Sequence, residues 1–363
     1  MKNTFGNALG LTIFGESHGA AVGAVLDGLA AGLPVDEAYI AERMDRRRAR
    51  GDGLSTARTE PDVVEFLSGV VNGHTTGTPI TMIIRNTNTR SGDYAKTADL
   101  LRPGHADYTA YAKYEGWQDA RGGGFSGRIT AASVAAGSIC EHILAQRGIK
   151  VYTHIARCAG VEDAPLSSSA GLIMAEPQPG HFALLDPEKE APMQAAIRAA
   201  GAEGDSVGGI LETVITGVPA GIGEPFFDSV ESEIAHLAFA IPAVKGIEFG
   251  AGFAFADLRG SQANDPFTMR DGKVVTATNK NGGINGGIAN GMPIVFRTAV
   301  KPTPSIYKEQ DTVDYIAKAD AKLQIKGRHD PCIVPRAAVV QNTLAAFAVL
   351  DLLTVRYGTL GQK

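Results

Sequence analysis

Gly15–Leu33 reads GESHGAAVGAVLDGLAAGL, and Gly204–Ile222 reads GDSVGGILETVITGVPAGI. The two segments align without a gap. Glycines coincide at 15/204, 19/208, 28/217 and 32/221, and Ser17 falls on Ser206. Gly77-Thr78-Pro79-Ile80 has a counterpart in Gly291-Met292-Pro293-Ile294, and an arginine opens a long apolar helix in each half, Arg128 and Arg336. Self-similarity at this separation points to an internal duplication. It predicts matching strand–turn–strand units at 15–33 and 204–222. The copies also differ usefully: His18 stands where the second copy has Val207. The fold therefore does not require histidine there, and chemistry explains it better than packing.

The rest of the chain fits this frame. Leu9–Phe14 and Ala21–Leu26 read as strands, and a helix starts near Pro34 or Asp36 and carries Ile40 and Met44. It ends in Arg43, Arg46, Arg47, Arg48 and Arg50. Such a run is either a solvated face or a clamp for a multiply charged anion. These arginines cannot all share one helix face, so Arg47 is expected to point into a site. Val63–Val71, Ile80–Ile84 and Val151–Val161 read as strands. Asn86–Tyr94 reads as a polar loop, Ser167–Pro192 as irregular, and Ala195–Ala202 and about 228–240 as helices. The last long helix follows Pro335 and stops at Gly358.

Arg102–Arg128 carries His105 in a Pro-Gly turn and then Gly122-Gly123-Gly124 ahead of the apolar helical run Ile129–Ile149. Bare backbone N–H groups before a helix can seat a phosphate; alone, the glycines are equally a turn between two elements. Further on come Asn281–Gly287, Lys301–Ser305 and Lys326–Pro331.

Net charge is −5 over 363 residues, with 44 glycines and three cysteines, and no CxxC pair is present. This argues against a nucleic-acid partner, a zinc site and a disulfide framework. No signal pattern or membrane-length apolar run is read, so a cytoplasmic setting without a membrane partner is expected. GxSxG and the P-loop motif are absent. Residue logic gives proton-transfer chemistry on a phosphorylated anionic small molecule, with or without a phosphate-bearing cofactor.

GESHG, VLDGLAAG, DRRR, TTGTPI, RNT, RSGDY, RPGHADYT, RGGG, GVPAG, AVKG, LRGSQ, GGINGG, KPTPS and GRHDPC follow one another along nearly the whole chain. In this order they resemble the chorismate synthase family. The resemblance implies an α/β (α+β) fold, a β-α-β sandwich with helices between two four-stranded antiparallel sheets. It implies one domain over 1–363, built of halves at about 1–150 and 200–358, and a homotetramer. It implies conversion of 5-enolpyruvylshikimate 3-phosphate to chorismate by anti-1,4-elimination of phosphate, with reduced FMN and no net redox change. NADPH is a candidate reductant. The alternative is a catalytically inactive flavin- or phosphate-binding paralogue.

By the same resemblance, His18 protonates or polarises the reduced flavin and His105 assists the departing phosphate. Asp330, supported by Ser17, takes the substrate-derived proton from the flavin's central-ring nitrogen. Flavin contacts fall on Phe125, Ser126, Gly127, Ala243, Gly286, Lys301, Pro302, Thr303, Pro304, Ser305 and Arg328. Arg47, Arg50 and Arg128 are the candidates for the substrate's phosphate and carboxylates, and no metal is implied. The chain departs from the family pattern at Gly53, in a shorter FSGR loop, and at Asn342, where a carboxylate is common.

Overall fold

Apolar residues alternate along both copies of the repeat, and each copy becomes one strand ending in a glycine turn. A computed structural model describes residues 2–56, 59–88, 99–117, 122–165, 167–168, 171–172, 180, 182–325, 327 and 329–363. The first half contains β1 (Thr4–Phe5), β2 (Gly10–Gly15), β3 (Ala21–Asp27), α1 (Glu37–Arg47) and β4 (Val64–Ser68). A small hairpin, β5 (Val70–Val71) and β6 (His74–Thr75), leads to β7 (Ile80–Arg85), α2 (Asp107–Tyr114) and α3 (Thr130–Gln146). The second half runs through β8 (Lys150–Cys158), β9 (Val161–Glu162), the hairpin β10 (Ser167–Ser168) and β11 (Gly171–Leu172), and α4 (Glu190–Ala202). Then come β12 (Gly209–Thr216), α5 (Val230–Ala240), β13 (Val244–Phe249) and α6 (Gly260–Ala263). Three hairpins surround β18 (Ile294–Val300): β14 (Phe267–Arg270) with β15 (Lys273–Thr276), β16 (Ile284–Asn285) with β17 (Ile288–Ala289), and β19 (Gln310–Asp314) with β20 (Ala319–Leu323). The last long element is α7 (Val334–Tyr357).

One sheet has the order β1-β2-β3-β7-β4 and the other β9-β8-β12-β18-β13. Every pairing within them is antiparallel. Without the two-residue edge strands β1 and β9, these are four-stranded sheets that match strand for strand. The match extends to single hydrogen bonds. Gly32 N donates to Thr75 O and Thr75 N to Leu33 O, each at 2.8 Å; Gly221 N donates to Ala289 O and Ala289 N to Ile222 O, again at 2.8 Å. Gly28 has φ +90°, and a Cβ there would lie 2.5 Å from Ala8 O; its partner Gly217 has φ +82° and presses on Gly148 O in the same way. Each repeat segment is loop–strand–turn rather than the expected strand–turn–strand. The neighbouring strand comes from just upstream in the first half (β2). In the second it is β8, separated from β12 by α4 and its approach.

Between the sheets lie α3 and α7. α3 packs on β2, β3 and β7, α7 packs on β8 and β12, and the two helices pack on each other. Both are apolar around most of their circumference, as helices covered on several sides must be. α7 heads the one stretch among the described residues long and apolar enough to cross a membrane, and 94% of its apolar window is buried in the protein. α1 flanks α3 and α5 flanks α7. Close contact of the central pair depends on Gly137, where an added Cβ would lie 2.5 Å from Thr343 O on α7. Gly137→Val is therefore expected to cost about 1–3 kcal/mol or more through overpacking. A urea melt unchanged from wild type would contradict this packing.

The expected strands and helices are found with shifted ends. α4 begins at Glu190, inside the stretch read as irregular, because Pro192 sits in its first turn, where a missing N–H is harmless. Residues 89–94 of the expected polar loop lie outside the described residues, as does most of 166–181.

Candidate functional site

The two halves bring their loops together at one end of the sheets, around a cleft of about 540 Å³. Its first wall is the GESHG turn. Ser17 is buried, and its N–H donates to Gly123 O at 3.1 Å, tying this turn to the triple glycine. Asn86 holds the turn from below: its Nδ2 donates to Glu16 O (3.0 Å) and Gly19 O (2.8 Å), while its Oδ1 accepts from Arg128 Nε (2.9 Å). His18 lines the cleft beside Ser17. In the second copy, Ser206 Oγ donates to Thr303 O at 2.6 Å and Val207 N to Pro331 O at 2.9 Å. The repeat without the histidine thus serves as scaffold for the 301–305 turn and for the Asp330 segment.

His105 sits where the halves are joined. Its Nε2 is 2.8 Å from Ser305 Oγ, and Lys301 Nζ donates to Gly104 O at 2.8 Å. Gly104 has φ +72°, and a Cβ there would be 2.8 Å from Pro304, so glycine permits this contact. Arg102 is forked onto Asp107 at 2.8 and 2.6 Å. The approach to His105 is bound to the second half by Leu101 N→Val313 O and Tyr315 N→Asp99 O, both 3.2 Å. Burial pushes the His105 pKa down to about 4; Arg102, Lys301 and His329 add to this and Asp107 opposes it. The ring is neutral near pH 7.

The third wall is cationic. Arg47 is 3% exposed; its Nη2 donates to Asp62 Oδ2 at 3.0 Å and its Nη1 to Thr130 Oγ1 at 3.1 Å. Asp62 also pairs with Arg128 through its other oxygen, and it has a left-handed φ of +51°. Such conformations cost energy and gather at functional sites. Burial lowers the Arg47 pKa to about 10; Asp62 and Asp330 oppose the fall, and Arg336 and Arg128 add to it. Arg336 Nη1 donates to Asp330 Oδ1 at 2.8 Å and its Nε to Arg47 O at 2.8 Å, and Thr56 N donates to the same Asp330 oxygen at 2.9 Å. Both bonds fall on one oxygen of Asp330, Oδ1. Six cationic side chains and four carboxylates line the cleft among the described residues. The lining carries a local excess of positive charge in a chain of net charge −5.

Removing Asp62 would strand two buried guanidiniums side by side. Asp62→Asn is expected to cost about 3–5 kcal/mol of stability and to raise the KM for an anionic substrate more than it lowers kcat. A variant with wild-type melting and KM would contradict the clamp.

Of the residues expected from the sequence, Ser17, His18, Arg47, His105, Phe125, Ser126, Gly127, Arg128, Ala243, Lys301, Thr303, Pro304, Ser305 and Asp330 all line this cleft. Ala243 carries φ +74°, and its carbonyl accepts from Lys301 N at 2.9 Å. Three others are not among its lining residues. Arg50 pairs with Asp45 at 2.5 Å on the surface, because that carboxylate lies within reach at the end of α1. Gly286 is in the β16–β17 turn, which docks on the glycine turn at the far end of β12, roughly 25 Å away along an eight-residue strand. Pro302 supports the turn from behind, against Gly208. Arg328 lies outside the described residues. Sequence reading missed Glu60, Asp62, Arg102 and Asp107. It noted Arg336 only as a helix opener, although the match to Arg128 was a signal for its role.

The chorismate synthase family model matches residues 9–354. The chain is 47% identical over 350 residues to a chorismate synthase of Methanosarcina mazei, covering 96% of this chain and 95% of that one. It is 48% identical over 355 residues to the enzyme of Archaeoglobus fulgidus (98% of each) and 46% identical over 354 to that of Pyrococcus abyssi (97% of each). A crystal structure of a chorismate synthase superposes with a TM-score of 0.74 at 29% identity, covering 98% of this chain and 94% of that one. The chain belongs to the chorismate synthase family, a family of lyases.

Proposed function

We propose that the protein converts 5-enolpyruvylshikimate 3-phosphate to chorismate and phosphate by anti-1,4-elimination. One observation carries the reading: His18, His105 and Asp330 face a single cleft whose cations outnumber its carboxylates. The substrate brings a phosphate and two carboxylates, whose negative charge Arg47, Arg128 and Arg336 offset from the wall of the cleft. His105 stands by the leaving phosphate. Its Nε2 is engaged with Ser305, and Nδ1 remains for the ligand. A bound phosphate's negative charge would raise the ring's pKa, so the proton becomes available only once substrate is in place. Asp330, fixed through Oδ1, accepts the proton that the substrate gives up.

The cofactor proposed is FMN in its reduced form. The residues present fit it: the Thr303 hydroxyl is buried without a hydrogen-bond partner among the described residues, Gly127 has open space among them where a Cβ would be, and the Phe125 ring is 47% exposed in the same cleft. Phe125–Gly127, Ala243 and Lys301–Ser305 would hold it. When bound, reduced FMN supplies electron density for the C–O cleavage. The complete His18–His105–Asp330 set favours an active enzyme over an inactive flavin-binding paralogue. We further propose one domain built of two related halves, a cytoplasmic homotetramer, and NADPH as candidate reductant. Phosphate release from the substrate with FMN and dithionite, and none with oxidised FMN, is the expected result. Release independent of flavin would overturn the reading.

A further inference from the structure

Asn86 is the first residue after β7 and is not among those lining the cleft. Its backbone N–H donates to Ala20 O at 3.1 Å, one step beyond the β3–β7 pair Ala21–Arg85. The same step in the second half leads from the pair Ile210–Ala299 to the pair Gly209–Val300. Val300 therefore stands where the first half has Asn86, and it is buried in the core. The duplicated frame accepts valine at this position, as it accepts Val207 in place of His18. The two exchanges meet in space. Asn86 Nδ2 donates to Glu16 O and Gly19 O, on either side of Ser17 and His18. In the second copy the equivalent of Gly19 O is Gly208 O, and a backbone group, Ala159 N, donates to it at 3.1 Å. One half satisfies this carbonyl from the main chain. The other uses a side chain whose remaining atom, Oδ1, accepts from Arg128 Nε at 2.9 Å. The matching arginine, Arg336, sends its Nε to a carbonyl, Arg47 O.

We propose that Asn86 is a positioning residue. Its amide sets the His18 turn and the Arg128 guanidinium relative to each other, so that the imidazole is aimed at a substrate lying against the cationic wall. The inference rests on the elimination proposed above and on the place of His18 in it. An amide serves both ends of the link. A carboxylate of the same shape accepts from Arg128 but has no N–H for the two carbonyls, and valine makes none of these bonds.

The test compares wild type, Asn86→Val, Asn86→Asp, His18→Ala and the double variant Asn86→Val with His18→Ala. Phosphate release is followed with reduced FMN, substrate binding to the FMN-loaded full chain by calorimetry, and stability by melting. Asn86→Val should lose about tenfold to a hundredfold in kcat, the cost of a misplaced group. It should bind 5-enolpyruvylshikimate 3-phosphate at least about fivefold more weakly, through Arg128. Asn86→Asp should lose as much in kcat, because the turn is released. In the His18→Ala background, Asn86→Val should cost less than about threefold in kcat, since the group it aims is gone. The weaker substrate binding should persist there. A structural asparagine would instead lower kcat by one factor in both backgrounds, in step with the melting temperature. That result overturns the proposal, as does wild-type kcat in Asn86→Val or full turnover in Asn86→Asp. If Asn86→Val does not fold, Asn86→Asp carries the same cycle. A wild type that releases no phosphate overturns the elimination reading itself. The binding arm is independent of turnover, and substrate affinity unchanged in Asn86→Val overturns the link to Arg128.

Discussion

His105→Ala should lower phosphate release by about 10²–10⁴-fold, the usual cost of losing a positioned acid. FMN affinity should move by no more than about tenfold, since one neutral hydrogen bond contributes about 1 kcal/mol. The bond at risk is the 2.8 Å contact between His105 and Ser305, in the turn proposed to hold the cofactor. A substrate with a better leaving group should rescue the variant more than a change of pH does. The same histidine leaves a mark on stability. Its folded pKa is about 4, below the ordinary value of 6.5. The unfolded chain therefore takes up the proton first, and the stability present above pH 6.5 falls as pH drops toward 4, by about 3 kcal/mol in all. His105→Asn should flatten that part of the pH–stability curve. Equal slopes in the two proteins, or a variant with full turnover, would contradict the assignment.

Asp330→Asn should be the other large effect, again about 10²–10⁴-fold in kcat, with KM and melting temperature little changed. The amide oxygen can still accept from Thr56 N and Arg336 Nη1, so the local fold survives. What is lost is an oxygen able to take up a proton. A fall in KM-dependent terms alone would make Asp330 a binding residue.

The residues legible in the sequence were those whose chemistry is local. The glycines of the repeat each answer to a turn or a close approach, and they exposed the duplication; the Val207 counterpart then marked His18. Asp62 was not legible, because its role arises only when β4, α1 and the start of α3 converge on it. Cys158 and Cys332, 174 residues apart, meet with sulfurs at 3.6 Å, which no spacing rule would indicate. The arginine run illustrates the limit. Arg47 is buried in the cleft, Arg43 is turned to Glu141, and Arg50 is held by Asp45. Composition cannot separate these three fates, since each is decided by which carboxylate the fold brings within reach.

The most direct test is turnover under strict anaerobiosis, with 5-enolpyruvylshikimate 3-phosphate in large excess over protein and dithionite-reduced FMN, following phosphate and flavin absorbance together. Many phosphates released per flavin, with the flavin still reduced at the end, is the result expected of an elimination. Oxidation of one flavin for each phosphate released would contradict it and make the protein an ordinary oxidoreductase.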